Sequence, residues 1–345
     1  MKLSKLLTQT QAKGAKAIST GLESLDQMIG GLHPGHLYTI AGRPAMGCSA
    51  LTITLARNIS IYDKVPTAFF SLDLPEESIV KRLHAAGYGW DSISREKNTS
   101  LDIQIGQGQN YFCPIQHKEQ ILDKEMERAQ ALMKNNGWDT ESSKDLEKTS
   151  HQSKNNYLQM MKEAPLWIEH NLDFTVDEIL CRIERMKKND NIQVVIIDGL
   201  WWLVASNTFE ERDLLMQNIA QTAKKLNIAI LLTTAVNRSV ETRGGDKKPM
   251  LSDIRGGLCS EVYSSVIMLL YRAEYYCIEY DYDDRPTREM LDVIVAKNAF
   301  GERGEIRLRF RGYASIEECV PSSIENDLQN LSNELEYLND FDLPF

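Results

Sequence analysis

The sequence predicts an α/β fold in which a mostly parallel central sheet is flanked by helices. Short apolar segments alternate along the chain with longer segments of helical periodicity, which is the pattern of parallel strands joined by helices. Hydrophobic residues make up 42% of the 345 positions and charged residues 26%, enough apolar material for a packed core. The apolar runs are far shorter than the ~20 residues of a membrane span, so we expect no membrane partner.

The net charge of −10 is unevenly distributed along the chain. Residues 312–345 contain eight acidic residues and no Lys or Arg, so the preceding part is close to neutral. A local basic patch that contacts nucleic acid is therefore not excluded. The six cysteines form no Cys-x-x-Cys pair, and the N-terminus lacks an apolar leader. These features predict a cytoplasmic protein without a zinc site or disulfide framework.

The first elements follow the order of a parallel, helix-covered sheet. After a polar arm or linker, the chain passes through glycine-rich turns into an apolar strand. The expected segments are an arm at 1–17, a strand at 37–41, a loop at 42–49, a helix at 50–61, a strand at 67–72 and a helix at 76–86. The strand–loop–helix–strand–helix order predicts crossover connections between parallel strands.

Residues 91–160 interrupt this pattern. They are rich in Gln, Asn, Lys and Glu and poor in strand signals, which predicts a polar, largely helical and flexible insertion. The pattern then resumes, with a cap expected at Thr175. The expected strands are 165–168, 194–197, 229–233, 266–271, 291–296 and 306–310, and the helices are 175–188 and 210–226. We therefore expect one domain over 18–312 that carries the insertion, followed by a disordered acidic tail over 313–345.

The loop after the first strand has the spacing of a phosphate-binding loop, Gly-x-x-x-x-Gly-Lys-Ser/Thr. Gly42, Gly47 and Ser49 occupy the expected positions, but Cys48 replaces the lysine. A thiol lacks the positive charge that forms hydrogen bonds worth about 1.5–3 kcal/mol with phosphates. The loop therefore predicts weak ATP binding through backbone N–H groups, or a glycine turn that binds nothing. The candidate nucleotide-binding residues are Gly42, Arg43, Pro44, Ala45, Met46, Gly47, Cys48, Ser49 and Ala50.

Two aspartates follow predicted strands and fit the same scheme. Asp198 ends the apolar run 194–197, where a carboxylate would hold Mg²⁺ together with Ser49. The alternative is an ordinary acid at a strand end. Asp73 follows the second strand, where a carboxylate could activate water, or alternatively cap the next helix.

Several segments carry a resemblance to a known family. They are residues 20–26, 30–35, 41–47, 70–73, 196–200, 248–255 and 296–304, of which 248–255, with Glu261 and Arg272 beyond it, is the most specific. Together they resemble the C-terminal motor domain of DnaB-type replicative DNA helicases. The resemblance covers roughly 18–90 and 163–312, and it leaves out the insertion and the tail.

The resemblance implies a RecA-like P-loop NTPase fold. It also implies a ring-shaped homo-hexamer, ATP and Mg²⁺ at the subunit interfaces, and single-stranded DNA in the central channel. By this resemblance Asp73 occupies the catalytic glutamate position and Lys297 acts on the neighbouring subunit. The expected DNA-binding residues are Arg238, Arg243, Lys247, Lys248 and Arg255. The alternative for this basic stretch is a solvated surface loop.

The departures from the family fall on its catalytic positions. Cys48 replaces the P-loop lysine, Asp73 the catalytic glutamate, Ala235 a sensor glutamine and Ala299 an arginine finger. Arg303 is a candidate to replace the arginine finger in part, although nothing in the sequence shows this. An aspartate is one methylene shorter than glutamate, and a misplacement of about 1 Å can cost ~10²-fold in rate.

These departures predict impaired or absent ATP hydrolysis in a DNA- or helicase-binding accessory protein of DNA replication and maintenance. The first alternative is an active ATP-dependent DNA helicase with an atypical P-loop. The second is a RecA-like recombination-type ATPase, against which the segment 248–255 argues.

The C-terminal tip predicts a docking tail. Asp340, Asp342, Leu343, Pro344 and Phe345 resemble the tip of bacterial single-stranded-DNA-binding proteins. The resemblance implies that genome-maintenance proteins bind the aromatic side chain and the terminal carboxylate. The alternative is an acidic tail that discourages binding of the chain to its own DNA site.

Overall fold

The computed structural model describes residues 16–88, 156–172, 174–200, 208–244, 247–311 and 315–319. The chain forms two compact units, residues 1–86 with 160–345, and residues 87–159. The sheet and the candidate site lie in the first unit. Within the described residues, no helix combines the length and apolar character that a membrane crossing requires.

A nine-stranded sheet organises the first unit, in the order β3-β2-β4-β5-β1-β6-β7-β8-β9. Strands from β3 through β6 are parallel, and β6 through β9 pair antiparallel. The strands are β1 (Leu37–Gly42), β2 (Thr67–Ser71), β3 (Leu166–His170), β4 (Val194–Asp198), β5 (Ala229–Ala235), β6 (Val266–Tyr271), β7 (Met290–Asn298), β8 (Gly304–Phe310) and β9 (Ile316–Glu318). The prediction of a mostly parallel α/β sheet is confirmed.

The helices connect and cover these strands. They are α1 (Glu23–Ile29), α2 (Cys48–Ala56), α3 (Glu76–Tyr88), α4 (Val176–Asp190), α5 (Phe209–Leu226), α6 (Ser239–Thr242) and α7 (Gly257–Tyr263). A π-helical turn, Arg57–Tyr62, extends α2. The Thr175 side chain caps α4 as expected, in a reciprocal capping box with Glu178.

The central strands are buried along their whole length because elements cover both faces of a parallel sheet. Every residue of β1, β2 and β4 is buried. On one face, Phe70, Ile197 and Leu232 pack with side chains of α4 and α5, such as Ile183 and Ile219. This packing fixes the carboxyl ends of the strands, from which the candidate site is built.

The folded domain continues past residue 312, where the sequence was expected to leave it. Strand β9 pairs with β8, and Ile316 is fully buried. The Ile316 amide donates to the Thr54 hydroxyl at 3.1 Å, and the Glu318 carboxylate accepts from the Ser24 amide at 2.9 Å. The predicted boundaries of 18–312 and 313–345 therefore need correction at this point. Residues 320–345, and the insertion up to residue 155, lie outside the described residues.

Candidate functional site

A cavity of about 760 Å³ lies at the carboxyl ends of β1 and β5, where ligands bind in open α/β sheets. The phosphate-type loop forms one side of it, and Asp73 and the segment after β5 contribute others. The lining residues are Gly42, Arg43, Pro44, Ala45, Gly47, Cys48, Ser49, Ala50, Asp73, Arg82, Ala235, Val236, Asn237, Arg238, Arg255 and Phe310. The structure thus brings the predicted loop and Asp73 together.

Two glycines give the loop its shape. Gly47 has a φ of +96°, and a Cβ there would lie 2.8 Å from the Phe310 ring. A Cβ at Gly42 would lie 2.8 Å from the Cys48 Sγ. Only glycine fits at Gly47 without strain, because both the backbone conformation and the space exclude a side chain. The two glycines that the motif predicts are therefore required by the close packing of this loop.

Helix α2 begins at Cys48 and directs its N-terminus at the cavity. Its nine residues carry no acidic side chain in the first turn, so the unpaired N–H groups and the helix dipole favour an anion there. Met46 is not among the residues that line the cavity, and its part in nucleotide binding stays a prediction. Its side chain is 1% exposed, and its amide donates to the Arg43 carbonyl at 3.1 Å. The remaining loop residues keep their predicted place.

Cys48 leaves the lysine position of the loop without charge. Burial, reinforced by the nearby Asp198 carboxylate, raises the pKa of the thiol to about 12. The thiol therefore stays protonated at neutral pH and is neither a cation nor a reactive thiolate.

Asp198 is the last residue of β4 and is 1% exposed; it interacts with Ser49 and Cys48, which line the cavity. Its Oδ1 accepts from the Thr233 hydroxyl at 2.7 Å, and that hydroxyl accepts from the Gly199 amide at 2.7 Å. Burial raises the pKa of the carboxyl, and the Thr233 and Ser49 hydroxyls act in the opposite direction. Among the described residues, Oδ2 has no hydrogen-bond donor.

A buried carboxylate oxygen without a donor, beside a hydroxyl, suits Mg²⁺. Ser49 and Asp198, the predicted metal ligands, are thus close together. No group of three or more His, Cys, Asp or Glu side chains within the described ranges is arranged to hold a metal. The fit is therefore to an ion that takes its other ligands from water and phosphate oxygens.

Asp73 is exposed and lies on the cavity wall. Helix α3 begins at Glu76, so Asp73 does not adjoin the first helical residue as the alternative role of an N-cap would require. Ala235 lines the same cavity, so the position that the resemblance assigns to a sensor glutamine carries only a methyl group here. The catalytic role of Asp73 stays a prediction.

Lys297 is bonded within its own chain. Its Nζ donates to the carbonyls of Glu261 at 2.5 Å and Ser264 at 2.6 Å, at the C-terminal end of α7. Cations stabilise helix C-termini, which gives this lysine a structural role in the single chain. Its predicted action on a neighbouring subunit stays a prediction.

The predicted DNA-binding residues fall into two groups. Arg238 and Arg255 are exposed and line the cavity of the phosphate-type loop. The other three bond to their own chain. Arg243 pairs with Asp253 at 2.6 Å, Lys248 pairs with Glu305 at 2.6 Å, and Lys247 donates to the carbonyls of Glu241 and Arg243. Contact of these residues with DNA stays a prediction.

Two residues that line the cavity do not stand out in the sequence. Arg82 reaches it from α3, and its charge favours the ionised form of Asp198, which opposes the effect of burial on that pKa. Phe310 enters from β8, and the Arg272 guanidinium lies 3.9 Å from the centre of its ring. Arg272 also donates to the Ala45 carbonyl at 3.2 Å, which anchors the loop. Arg82 and Phe310 are distant in sequence from the loop, so no spacing signal marks them.

Comparison with known proteins agrees with this geometry. Residues 17–104 and 111–316 match the family described as DnaB-like helicase C terminal domain. The chain belongs to this family. The match runs through most of residues 91–160, so that segment does not lie outside the family as expected. It also ends at 316 rather than 312, in agreement with β9.

Curated relatives of this DnaB-like chain are replicative DNA helicases. It is 27% identical to "Replicative DNA helicase DnaB" of Leifsonia xyli subsp. xyli over 309 residues, 88% of this chain and 56% of the relative. It is 26% identical to the protein of the same name from Haemophilus influenzae over 333 residues, 95% of this chain and 58% of the relative. The chain thus spans a little over half the length of these relatives.

Solved structures show the same fold. A structure described as an ATPase domain aligns with a TM-score of 0.67 and 20% identity, over 92% of this chain and 99% of that one. A DnaB-like replicative helicase described with its interactions with primase aligns with a TM-score of 0.67 and 20% identity, over 92% and 66%. The predicted RecA-like fold is confirmed, and the family resemblance is favoured over the recombination-type alternative.

Proposed function

We propose that this DnaB-like chain binds Mg²⁺–ATP in its cavity but hydrolyses it poorly, and that it serves DNA replication as a DNA- or helicase-binding accessory protein. One observation carries the proposal. The loop backbone, the α2 N-terminus and the Asp198 oxygen are arranged for a phosphate and a cation, while the lysine position holds a neutral thiol.

Different residues of the cavity would bind the phosphates and the Mg²⁺ ion. The loop N–H groups and the start of α2 would hold the phosphates. Ser49 and Asp198 would hold Mg²⁺, directly or through water. When bound, the ion supplies positive charge to the phosphate oxygens. The rigid loop, fixed by Gly47 against Phe310 and by Arg272 on Ala45, requires little reorganisation to do this.

The same cavity explains why hydrolysis would be slow. Cys48 supplies no charge to the terminal phosphates, where charge develops during transfer. Asp73 is shorter than the glutamate that the family resemblance implies, and Ala235 has no hydrogen-bonding side chain. Because each loss acts on a different part of the reaction, replacing one residue would not restore full activity.

An active helicase with an atypical P-loop is the second candidate. It is favoured by the arginines Arg82, Arg238 and Arg255, which line the cavity and bring positive charge close to the loop. If one of them substitutes for the lysine during transfer, hydrolysis would survive the loss at Cys48.

The proposed binding partners are those that the family resemblance and the acidic C-terminal tail suggest. We propose binding of single-stranded DNA and assembly into a ring-shaped hexamer in the cytoplasm. We also propose docking of a genome-maintenance protein on the acidic tail ending in Phe345. Partner binding by a tail peptide, measured with and without Phe345, tests the docking. Binding that does not change when Phe345 is deleted would contradict it.

Equilibrium dialysis of Mg²⁺–ATP against the full chain tests nucleotide binding. We expect measurable but weak binding, and about tenfold or greater tightening in Cys48→Lys, from one charge-assisted hydrogen bond. Cys181→Lys is the matched control, because Cys181 is an exposed cysteine on α4 outside the cavity. Absence of binding at millimolar ATP would contradict the proposal, and equal tightening in both variants would make the effect non-specific.

A further inference from the structure

Three aromatic rings pack together where β1 and β6 begin, at the edge of the sheet opposite to the cavity. The Phe300 ring stacks on the His33 ring, with the ring centres 4.1 Å apart and an angle of 28° between the planes. It meets the His36 ring edge-on, at 4.9 Å and 83°. These three residues form the aromatic cluster. None of them lines the cavity, so the proposed nucleotide site gives the cluster no role.

Phe300 belongs to the β7–β8 turn, residues 299–303. Its neighbours Ala299 and Gly301 are exposed, whereas Phe300 is partly buried. The Ala299 amide donates to the Ser265 carbonyl at 2.9 Å, and the Phe300 amide donates to the Asn298 Oδ1 at 3.0 Å. The turn is therefore folded onto its own chain, and the phenyl ring is part of that contact.

The two imidazoles are held in place by bonds of their own. The His33 amide donates to the Tyr38 hydroxyl at 2.6 Å. The His36 Nδ1 forms a hydrogen bond of 2.8 Å with the Ser265 hydroxyl. Ser265 thus binds His36 through its side chain and the β7–β8 turn through its carbonyl. A change at His36 is therefore passed directly to the residue that anchors the turn.

The charged groups that act on His36 are basic. The centres of the His33 and His36 rings are 6.4 Å apart, and Lys224 lies in the last turn of α5. Lys297 of β7 donates to the carbonyl of Ser264, which precedes the residue bonded to His36. Burial lowers the pKa of His36, and His33 and Lys224 lower it further. The packed cluster therefore favours a neutral His36.

Protonation of His36 acts against the packed state. One protonated imidazole against the Phe300 ring is tolerated, because a cation is attracted to an aromatic face. A charge on His36 as well as on His33 places two like charges side by side in a partly buried site. Glu302 and Arg303 in the turn are exposed and opposite in sign, so they do not offset this repulsion. Opening of the cluster relieves it.

We propose that the aromatic cluster is an acid-sensitive switch, which holds the β7–β8 turn on its own chain at neutral pH and releases it as the pH falls toward 5.5. The inference goes beyond the proposed function and does not depend on nucleotide binding. The turn follows Lys297, which the family resemblance assigns to the neighbouring subunit. Release would free the segment after Lys297 from its own chain.

The direction of the effect follows from the lowered pKa of His36. A histidine whose pKa is lower in the closed state stabilises that state above the ordinary imidazole pKa of about 6.5. This stabilisation is lost as the pH falls below that value, because the open state binds the proton more tightly. An ordinary imidazole is about 90% protonated at pH 5.5, so opening should become roughly tenfold more favourable between pH 7.5 and pH 5.5.

Hydrogen–deuterium exchange of the full chain, followed by peptide mass spectrometry, tests this at pH 7.5 and pH 5.5. The rates are corrected for the effect of pH on free amides. The amides of Ala299 and Phe300 are both hydrogen-bonded in the closed turn, so they report its opening. We expect their peptide to lose about tenfold in protection at pH 5.5. A peptide of β1 should keep its protection, which separates release of the turn from general unfolding in acid.

Three variants assign the response to the cluster. His36→Gln removes the titrating ring but keeps a side chain that can bond to Ser265, so the pH response should be lost. Phe300→Ala removes the ring contacts, so exchange of the turn should be fast at both pH values. His170→Gln is the matched control, because His170 is a partly buried histidine of β3 whose Nδ1 bonds to the Ser71 carbonyl. The control should keep the full response.

The outcomes decide between a switch and a fixed contact. Equal protection of the turn at the two pH values in the natural chain overturns the proposal. A full pH response in His36→Gln, or its loss in His170→Gln, also overturns it. If His36→Gln does not fold, Phe300→Ala decides, since an unchanged response there contradicts a role of the rings. No nucleotide is present, so a failure of the proposed ATP binding leaves this test unaffected.

Discussion

At residue 48 the chain places a partly exposed, neutral thiol where phosphate loops carry lysine. The substitution does not disturb the loop, because Gly42, Gly47 and Phe310 still determine its path. It does change the electrostatics, since burial and Asp198 keep the thiol protonated. The loop thus keeps the shape that would bind a phosphate but lacks the positive charge of a lysine. The proposed function, binding of ATP with poor hydrolysis, depends on this combination.

The raised pKa of Cys48 predicts a thiol that resists alkylation. With a pKa of about 12 instead of the ordinary 9.0, its thiolate fraction at pH 8 is roughly a thousandfold lower. The folded state holds the thiol proton more tightly than the unfolded state does. The resulting contribution to the free energy of unfolding is therefore complete below pH 9 and is lost as the pH rises toward 12.

Iodoacetamide labelling at pH 8, followed by peptide mass spectrometry, measures this. The exposed Cys181 serves as the internal control and should react first. Labelling of Cys48 as fast as Cys181 in the folded protein would contradict the protonated state of the thiol.

Gly47 should tolerate no side chain. In Gly47→Ala the new Cβ meets the Phe310 ring and the positive φ is strained, so we expect a loss of about 1–3 kcal/mol in stability. Thermal unfolding by circular dichroism measures the loss. Gly244→Ala is the control, because nothing lies within 4 Å of a Cβ there. Equal melting temperatures for the two variants would contradict the loop geometry.

The sequence could predict those site residues that follow one another in a motif. Gly42, Gly47, Ser49 and Asp198 were found from spacing and from their place at strand ends. Arg82 and Phe310 could not be found that way, because the fold brings them in from α3 and β8. The partners of Arg243 and Lys248 were missed for the same reason, since Asp253 and Glu305 are defined by tertiary contact.

Elements with long, regular patterns were predicted well, whereas the short ones were missed. The strands β1, β2 and β4 are fully buried apolar runs, and α4 and α5 have clear caps and periodicity. The short α1, α6, α7 and β9 give few residues for a pattern to emerge. Such elements are stabilised by tertiary contact more than by intrinsic propensity.

Strand β9 should be essential for stability despite its position in the acidic region. Ile316 is fully buried, and its amide donates to Thr54 of α2, so Ile316→Ala should lose about 2–5 kcal/mol in stability. Urea denaturation measures the loss, and Glu317→Ala, with its half-exposed side chain, is the matched control. A loss in Ile316→Ala no larger than in the control would place the domain end back at residue 312.

At the scale of the whole molecule, the fold is that of the DnaB-like family, and the phosphate-type loop carries Cys48 at its lysine position. The nine-stranded sheet and the family match agree over most of the chain. The chain spans 56% of the length of one relative, so its partners have to be measured on this protein rather than transferred.

Binding of single-stranded DNA should be weak and strongly salt-dependent. Three of the basic residues expected to contact DNA bond to their own chain, so few phosphate contacts are available. Fluorescence anisotropy with an oligothymidine strand should show an affinity that falls with salt, with a slope of about −0.7 per phosphate contact. Affinity that does not change with salt, or no binding at about 50 mM salt, would contradict an electrostatic DNA interface.

The most direct test of the central claim is single-turnover release of phosphate from bound Mg²⁺–ATP, with saturating single-stranded DNA. The natural chain is compared with Cys48→Lys combined with Asp73→Glu. We predict that the natural chain retains ATP and releases phosphate no faster with DNA than without it. Any gain in the double variant would locate the defect at these two positions. DNA-stimulated phosphate release by the natural chain would contradict the proposed function and establish an active motor with an atypical phosphate loop.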